Sequence, residues 1–79
     1  MDIVDLVLTI NKECHYMYGY EIFSLRDIIH NYCEINDILV DTKAWDDLMN
    51  TLWYQLKEDI QTDFTNIKEM EDFLCEGIV

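Results

Sequence analysis

TKAWDDLMNTLWYQLKEDIQ, residues 42–61, is the stretch whose reading decides the fold. Trp45, Leu48, Met49, Leu52, Trp53, Leu56 and Ile60 recur at helical intervals, within roughly 140° of a wheel that turns 100° per residue. A half-buried strand would alternate with period two, and this segment does not. Asp41 or Thr42 is placed to cap its start, so the pattern predicts a helix over about 42–61 with Tyr54 nearly opposite the apolar stripe.

Working outward toward the N-terminus, residues 35–40 are ambiguous. Asp37-Ile38-Leu39-Val40-Asp41 reads either as a short strand or as a loop whose aliphatics plug the core. Before it, Ser24 reads as an N-cap with Asp27 at N3, a shortened capping box, and Phe23 and Ile28 are spaced for a hydrophobic staple. Leu25, Ile28, Ile29, Tyr32 and Cys33 form the stripe of that second helix, and the alternating Tyr20-Glu21-Ile22-Phe23 suits a short extended piece. The first segment repeats Ile3, Leu6, Val7, Ile10, Cys14, Met17 and Tyr18, which predicts a helix over about 2–18 between Asp2 as cap and Gly19 as stop. Val4 and Leu8 lie off that stripe and point to contact on a second side. Toward the C-terminus, Ile67, Met70, Phe73 and Leu74 predict a helix over about 65–76, with Thr62, Asp63 or Thr65 as cap and Gly77 as stop. Proline is absent and glycine occurs only at positions 19 and 77, which suits uninterrupted helices. The expectation is a single all-α domain over residues 1–79. It would be a compact bundle of about four helices, open to a helix-turn-helix-like arrangement and one short strand pair.

Seventeen acidic residues stand against five basic ones, a formal net charge of −12, yet 51 % of the chain is hydrophobic. An acidic disordered tail lacks that apolar content, so the charge belongs to a folded domain. A negative field of this size repels nucleic acid and anionic lipid and attracts basic protein surfaces. Direct nucleic-acid binding and membrane binding are therefore not expected. Cys14, Cys33 and Cys75 are odd in number and widely spaced, a poor disulfide framework, and read as buried thiols in a reducing compartment. Met1-Asp2-Ile3-Val4-Asp5 carries acids where a secretory leader needs cations, and no apolar run approaches a membrane span. The expected location is the cytoplasm.

The residues that carry chemistry elsewhere fail here on spacing. Cys14-His15 and His30-x-x-Cys33 hold the right types for zinc, but adjacent side chains diverge on a helix and His30 points about 60° away from Cys33. Asp37, Asp41, Asp46 and Asp47 lack the alternate spacing and the glycine of a calcium loop. No glycine-rich elbow carries Cys14, and Arg26 is the one arginine available to an anionic transition state. No catalytic, cofactor-binding or metal-binding residue is expected, and the chain reads as a non-enzyme.

Three resemblances bear on function. Ser24-Leu25, read as a helix start in a short acidic helical chain, resembles acyl carrier protein, which implies phosphopantetheine on Ser24. Phe23 stands where that family has aspartate, and the helix with Arg26, Ile28 and Ile29 lacks its acidic run. Phe23-Ser24-Leu25-Arg26-Asp27-Ile28-Ile29 followed by the helix at Thr42 resembles a helix-turn-helix or winged-helix scaffold, which implies that Lys43, Asp46, Asp47 and Asn50 face a groove; two carboxylates there oppose phosphate. In size, charge and want of catalytic motifs, the whole chain resembles the small acidic anti-CRISPR and anti-restriction proteins of phages and mobile elements. That implies a stoichiometric inhibitor whose carboxylates imitate phosphates on a basic nucleic-acid-binding surface. The expected contacts are Asp46, Asp47, Glu58 and Asp59, a second cluster of Glu69, Glu71 and Asp72, and Tyr16, Tyr20 or Tyr54 as anchors. The rival expectation is a homodimeric adaptor that pairs through the face of Trp45 and Trp53.

Overall fold

A computed structural model of the chain describes residues 2–14 and 21–76. Five helices occur among them: α1 Ile3–Glu13, α2 Glu21–Ile35, α3 Lys43–Gln55, α4 Glu58–Gln61 and α5 Ile67–Cys75, with no strand. The principal packing is α1 against α2, and α5 against both α2 and α3. The all-α bundle is as the sequence indicates. A helix-turn-helix needs two successive helices joined by a tight turn; here residues 36–42 separate α2 from α3, and α5 packs on both.

One apolar core joins the helices. Leu6 and Ile10 from α1, Leu25 and Ile29 from α2, Trp45, Met49 and Leu52 from α3, Ile60 from α4, and Met70 and Leu74 from α5 are fully buried. Among the described residues no polar or charged one is buried, so the acids lie outside the core. Burying a carboxylate without a partner costs several kcal/mol, roughly, and the fold avoids it.

Asp2 caps α1 as expected, its Oδ1 accepting from the Asp5 N–H at 2.9 Å. The helix closes at Glu13, with the Cys14 N–H donating to the Ile10 carbonyl at 2.8 Å. Met17, Tyr18 and Gly19, expected to complete it, lie outside the described residues.

The second helix corrects the expected cap at Ser24. It starts at Glu21, so Ser24 is a half-buried residue inside the helix and Glu21-Ile22-Phe23 is not extended. The cause is the core: an earlier start places Ile22 against it, one turn before Leu25. Complete burial of a large aliphatic contributes about 1.5–3 kcal/mol, so even the partial burial of Ile22 offsets the roughly 1 kcal/mol of an N-cap. The staple between Phe23 and Ile28 is not made, since Phe23 is half exposed and its ring lies against Phe73.

After α2 the chain reverses without a strand. The Ile38 N–H donates to the Cys33 carbonyl at 2.9 Å and the Asp37 N–H to Glu34 at 3.4 Å, around Asp37 at φ 53°. This is a Schellman closure with aspartate at its left-handed position. Ile38 and Val40 pack on the core while Leu39 is exposed, so the loop alternative for residues 37–41 is the one realised. Thr42 then caps α3, accepting from the Trp45 N–H at 3.3 Å while its hydroxyl donates to the Leu39 carbonyl at 2.6 Å.

The helix expected over 42–61 is broken at Leu56 and Lys57, both extended. Neither proline nor glycine causes this. The broken bond is the one from the Lys57 N–H to the Trp53 carbonyl, and side chains replace both halves of it. Asn11 Oδ1 accepts from the Lys57 N–H at 3.1 Å, and the Gln61 amide donates to the Trp53 carbonyl. The bend brings Leu56, Ile60 and Phe64 into one core.

The last helix starts at Ile67, not at a cap on Thr62, Asp63 or Thr65. Asn66 Oδ1 accepts from the Glu69 N–H at 3.0 Å, and Glu69 Oε2 accepts from the Thr65 N–H at 3.3 Å. The reciprocal pair is a capping box with its second bond moved out by one residue.

Candidate functional site

The carboxylates fall into two groups, those engaged within the molecule and those open to solvent. All four acids of α5 and its C-cap belong to the first group. Glu69 closes the capping box. Glu71, half-buried, accepts from the indole Nε1–H of Trp45 at 2.9 Å and so ties α5 to α3. Asp72 pairs with Lys68 at 2.8 Å, and Glu76 with Arg26 at 3.1 Å. On α3, Asp47 pairs with Lys43 at 2.8 Å.

Of the contact residues expected from sequence, Glu69 and Glu71 are therefore structural, and Asp47 and Asp72 sit in exposed ion pairs. The hydrogen bonds to Asp47 and Asp72, with their charges, raise the pKa of Lys43 and Lys68. Such exposed pairs are weak and screened by salt, so a partner's cations can compete for them. Asp46, in the first turn of α3, and Glu58 and Asp59, in the first turn of α4, are exposed and make no ion pair with a described residue. Tyr54 is 79 % exposed, an anchor in reach of a partner. Tyr16 and Tyr20 lie outside the described residues. The described contact residues lie on three helices, α3, α4 and α5.

Four acids of α1 and α2 form the group that sequence reading undervalued. Asp5, Glu13, Asp27 and Glu34 are exposed, and their carboxylates make no hydrogen bond or ion pair to a described residue. Their spacing was visible in the sequence; their freedom was not, because it depends on where the few cations fold.

Arg26 is engaged within the molecule. Its guanidinium lies 5.2 Å from the Phe23 ring centroid and 4.9 Å from that of Phe73, and it pairs with Glu76. Phe64 stacks on Phe73 at 5.8 Å, which extends the cluster into the core. His30 is half-buried with Nε2 2.9 Å from the Leu74 carbonyl, donating its N–H there to tie α2 to α5.

Cys33 and Cys75 offer little nucleophilicity. Burial pushes the Cys33 thiol up to about 11, and burial with nearby Glu71, Asp41 and Asp72 raises Cys75. A thiol that stays protonated at neutral pH is a poor nucleophile and metal ligand. No group of three metal-binding side chains occurs among the described residues, and His15 lies outside them. Ser24, inside α2, is not at the helix start where the acyl-carrier resemblance needs it.

The aromatic face expected to pair two copies is not exposed: Trp45 is fully buried and Trp53 partly so. Two apolar grooves flank α1 instead. One groove of about 250 Å³, between α1 and α3, is lined by Ile3, Val4, Val7, Leu8, Thr51 and Gln55. A second of about 220 Å³, between α1 and α2, is lined by Thr9, Ile28, Asn31, Tyr32, Ile35 and Asn36. Val4 and Leu8, expected to find contact on a second side, are each 62 % exposed.

No helix among the described residues is long and apolar enough to cross a membrane. Comparison with known proteins brings no relative: no family model matches the sequence, and no curated protein and no solved structure matches the chain.

Proposed function

We propose that this chain is a small non-enzymatic inhibitor that docks on the basic, nucleic-acid-binding surface of another protein, such as a CRISPR or restriction nuclease in the cytoplasm. The observation that carries the reading is the imbalance of free charge. Of the five cations, Arg26, Lys43 and Lys68 already sit on carboxylates, while Asp5, Glu13, Asp27, Glu34, Asp46, Glu58 and Asp59 stand exposed on a helical scaffold. Carboxylates fixed in this way compete with phosphates for lysine and arginine without entering a groove themselves.

The test is displacement of a labelled DNA duplex from such a nuclease by the purified chain at two salt concentrations. The expected result is stoichiometric displacement that weakens as salt rises. Displacement independent of salt, or none from any basic nuclease tried, would remove the reading.

A second reading keeps the homodimeric adaptor, with the interface moved to the α1–α3 groove because Val4 and Leu8 are exposed beside it. Sedimentation equilibrium at micromolar concentration decides it; a strict monomer removes it.

A further inference from the structure

We infer that the α1–α2 groove is the anchoring point for a cationic amphipathic helix of the partner, taking an aliphatic or aromatic side chain between flanking lysines or arginines. The inference rests on the proposed docking to a basic protein and names the surface and the chemistry that would make it specific.

The groove differs from its neighbour in what surrounds it. Its apolar lining is Ile28, Tyr32 and Ile35, the last 68 % exposed, with Thr9 contributed by α1 and Asn31 by α2. On α1, Asp5 lies one turn before Thr9 and Glu13 one turn after it. On α2, Asp27 and Glu34 stand in the same relation to Asn31. Four exposed carboxylates without a partner among the described residues thus bracket an apolar slot, and Lys12 is the one cation of α1. The α1–α3 groove lacks this frame: its nearby Asp47 is paired with Lys43, and Lys57 lies close by, bonded through its N–H to Asn11.

Charge selects the occupant. A second copy of the chain would bring another net −12 against the same four carboxylates, which disfavours self-association there. The volume, about 220 Å³, is below the roughly 300–1,000 Å³ of small-molecule sites, so a side chain fits better than a cofactor. A helix with aliphatics at i, i+3 or i+4 and cations beside them meets both the slot and its rim.

The probe is a synthetic amphipathic helix of lysine and leucine, with an oligolysine of equal charge as control. NMR shifts of the chain should concentrate at Thr9, Ile28, Asn31, Tyr32 and Ile35, and the leucine-containing peptide should bind about tenfold tighter than oligolysine, or more. Ile35→Ser alters an exposed position and leaves the core intact. It should weaken the amphipathic peptide by about tenfold while leaving oligolysine within about twofold. Equal affinity for the two peptides, or shifts at Val4, Leu8, Thr51 and Gln55, would overturn the groove assignment while the docking on basic surfaces stands. Failure of both peptides to bind would overturn both. A dimer whose interface covers Ile35 would overturn the groove assignment alone.

Discussion

Helix α5 with its C-cap and the rim of the α1–α2 groove each present four carboxylates, put to opposite use. On α5 and its cap, Glu69, Glu71, Asp72 and Glu76 each hold a backbone, an indole or a cation of the same chain. On α1 and α2, Asp5, Glu13, Asp27 and Glu34 hold nothing among the described residues. The difference teaches that net charge alone does not locate an acidic interface. What matters is which carboxylates the fold has already engaged, and stability and binding should separate along that line.

The largest effect belongs to the engaged side. Trp45→Ala removes the one fully buried tryptophan and leaves the Glu71 carboxylate without its donor, so unfolding free energy should fall by about 3–5 kcal/mol. In a chain this size that is most of the stability, and thermal denaturation followed by circular dichroism reads it. Next comes Glu71→Ala, which strands the buried indole N–H and should cost about 1–3 kcal/mol. Glu71→Gln keeps an acceptor oxygen and should recover most of the loss. Neutralising Asp27 and Glu34 to Asn and Gln should leave stability within about 0.5 kcal/mol, or raise it by relieving repulsion. A loss there as large as that of Glu71→Ala would break the comparison.

Two smaller tests sharpen it. The Cys33 pKa in the fold, about 11, lies above the ordinary 9.0, because burial favours the neutral thiol. The group therefore binds its proton more tightly when folded, and its contribution is complete below pH 9. It is lost as pH climbs from 9 to about 11, so stability should fall across that window with a shallower slope in Cys33→Ala. Asp37→Gly relieves the left-handed backbone at φ 53° in the α2 closure and should stabilise the fold by about 0.5–1 kcal/mol, read as a rise in Tm.

The helical stripes of α1, α3 and α5 were legible in the sequence because burial on one face imposes its period wherever the helix runs. What misled were local signals in competition with distant ones. Ser24 with Asp27 is a sound cap signal, overruled when Ile22 found the core. The break at Leu56 has no local mark; it depends on Asn11, far away in sequence, and on Gln61 replacing a backbone bond. Asn66, by contrast, could have been found, since Asn66 followed by Glu69 carries the spacing of a capping box. The acidic surface was legible as a quantity of charge. Which acids were free was not, because the bonds of Glu71 and Glu76 cross from α5 to α3 and α2 and exist only once those helices pack.

The most direct measurement compares two variants that lose the same four charges. One carries Asp5→Asn, Glu13→Gln, Asp27→Asn and Glu34→Gln; the other carries Glu69→Gln, Glu71→Gln, Asp72→Asn and Glu76→Gln. Titrated against the same basic nuclease at low salt, the first should lose affinity by about tenfold or more, while the second stays within about threefold of the parent. Equal losses, or a larger loss in the second, would contradict the division of the acidic surface into engaged and open halves.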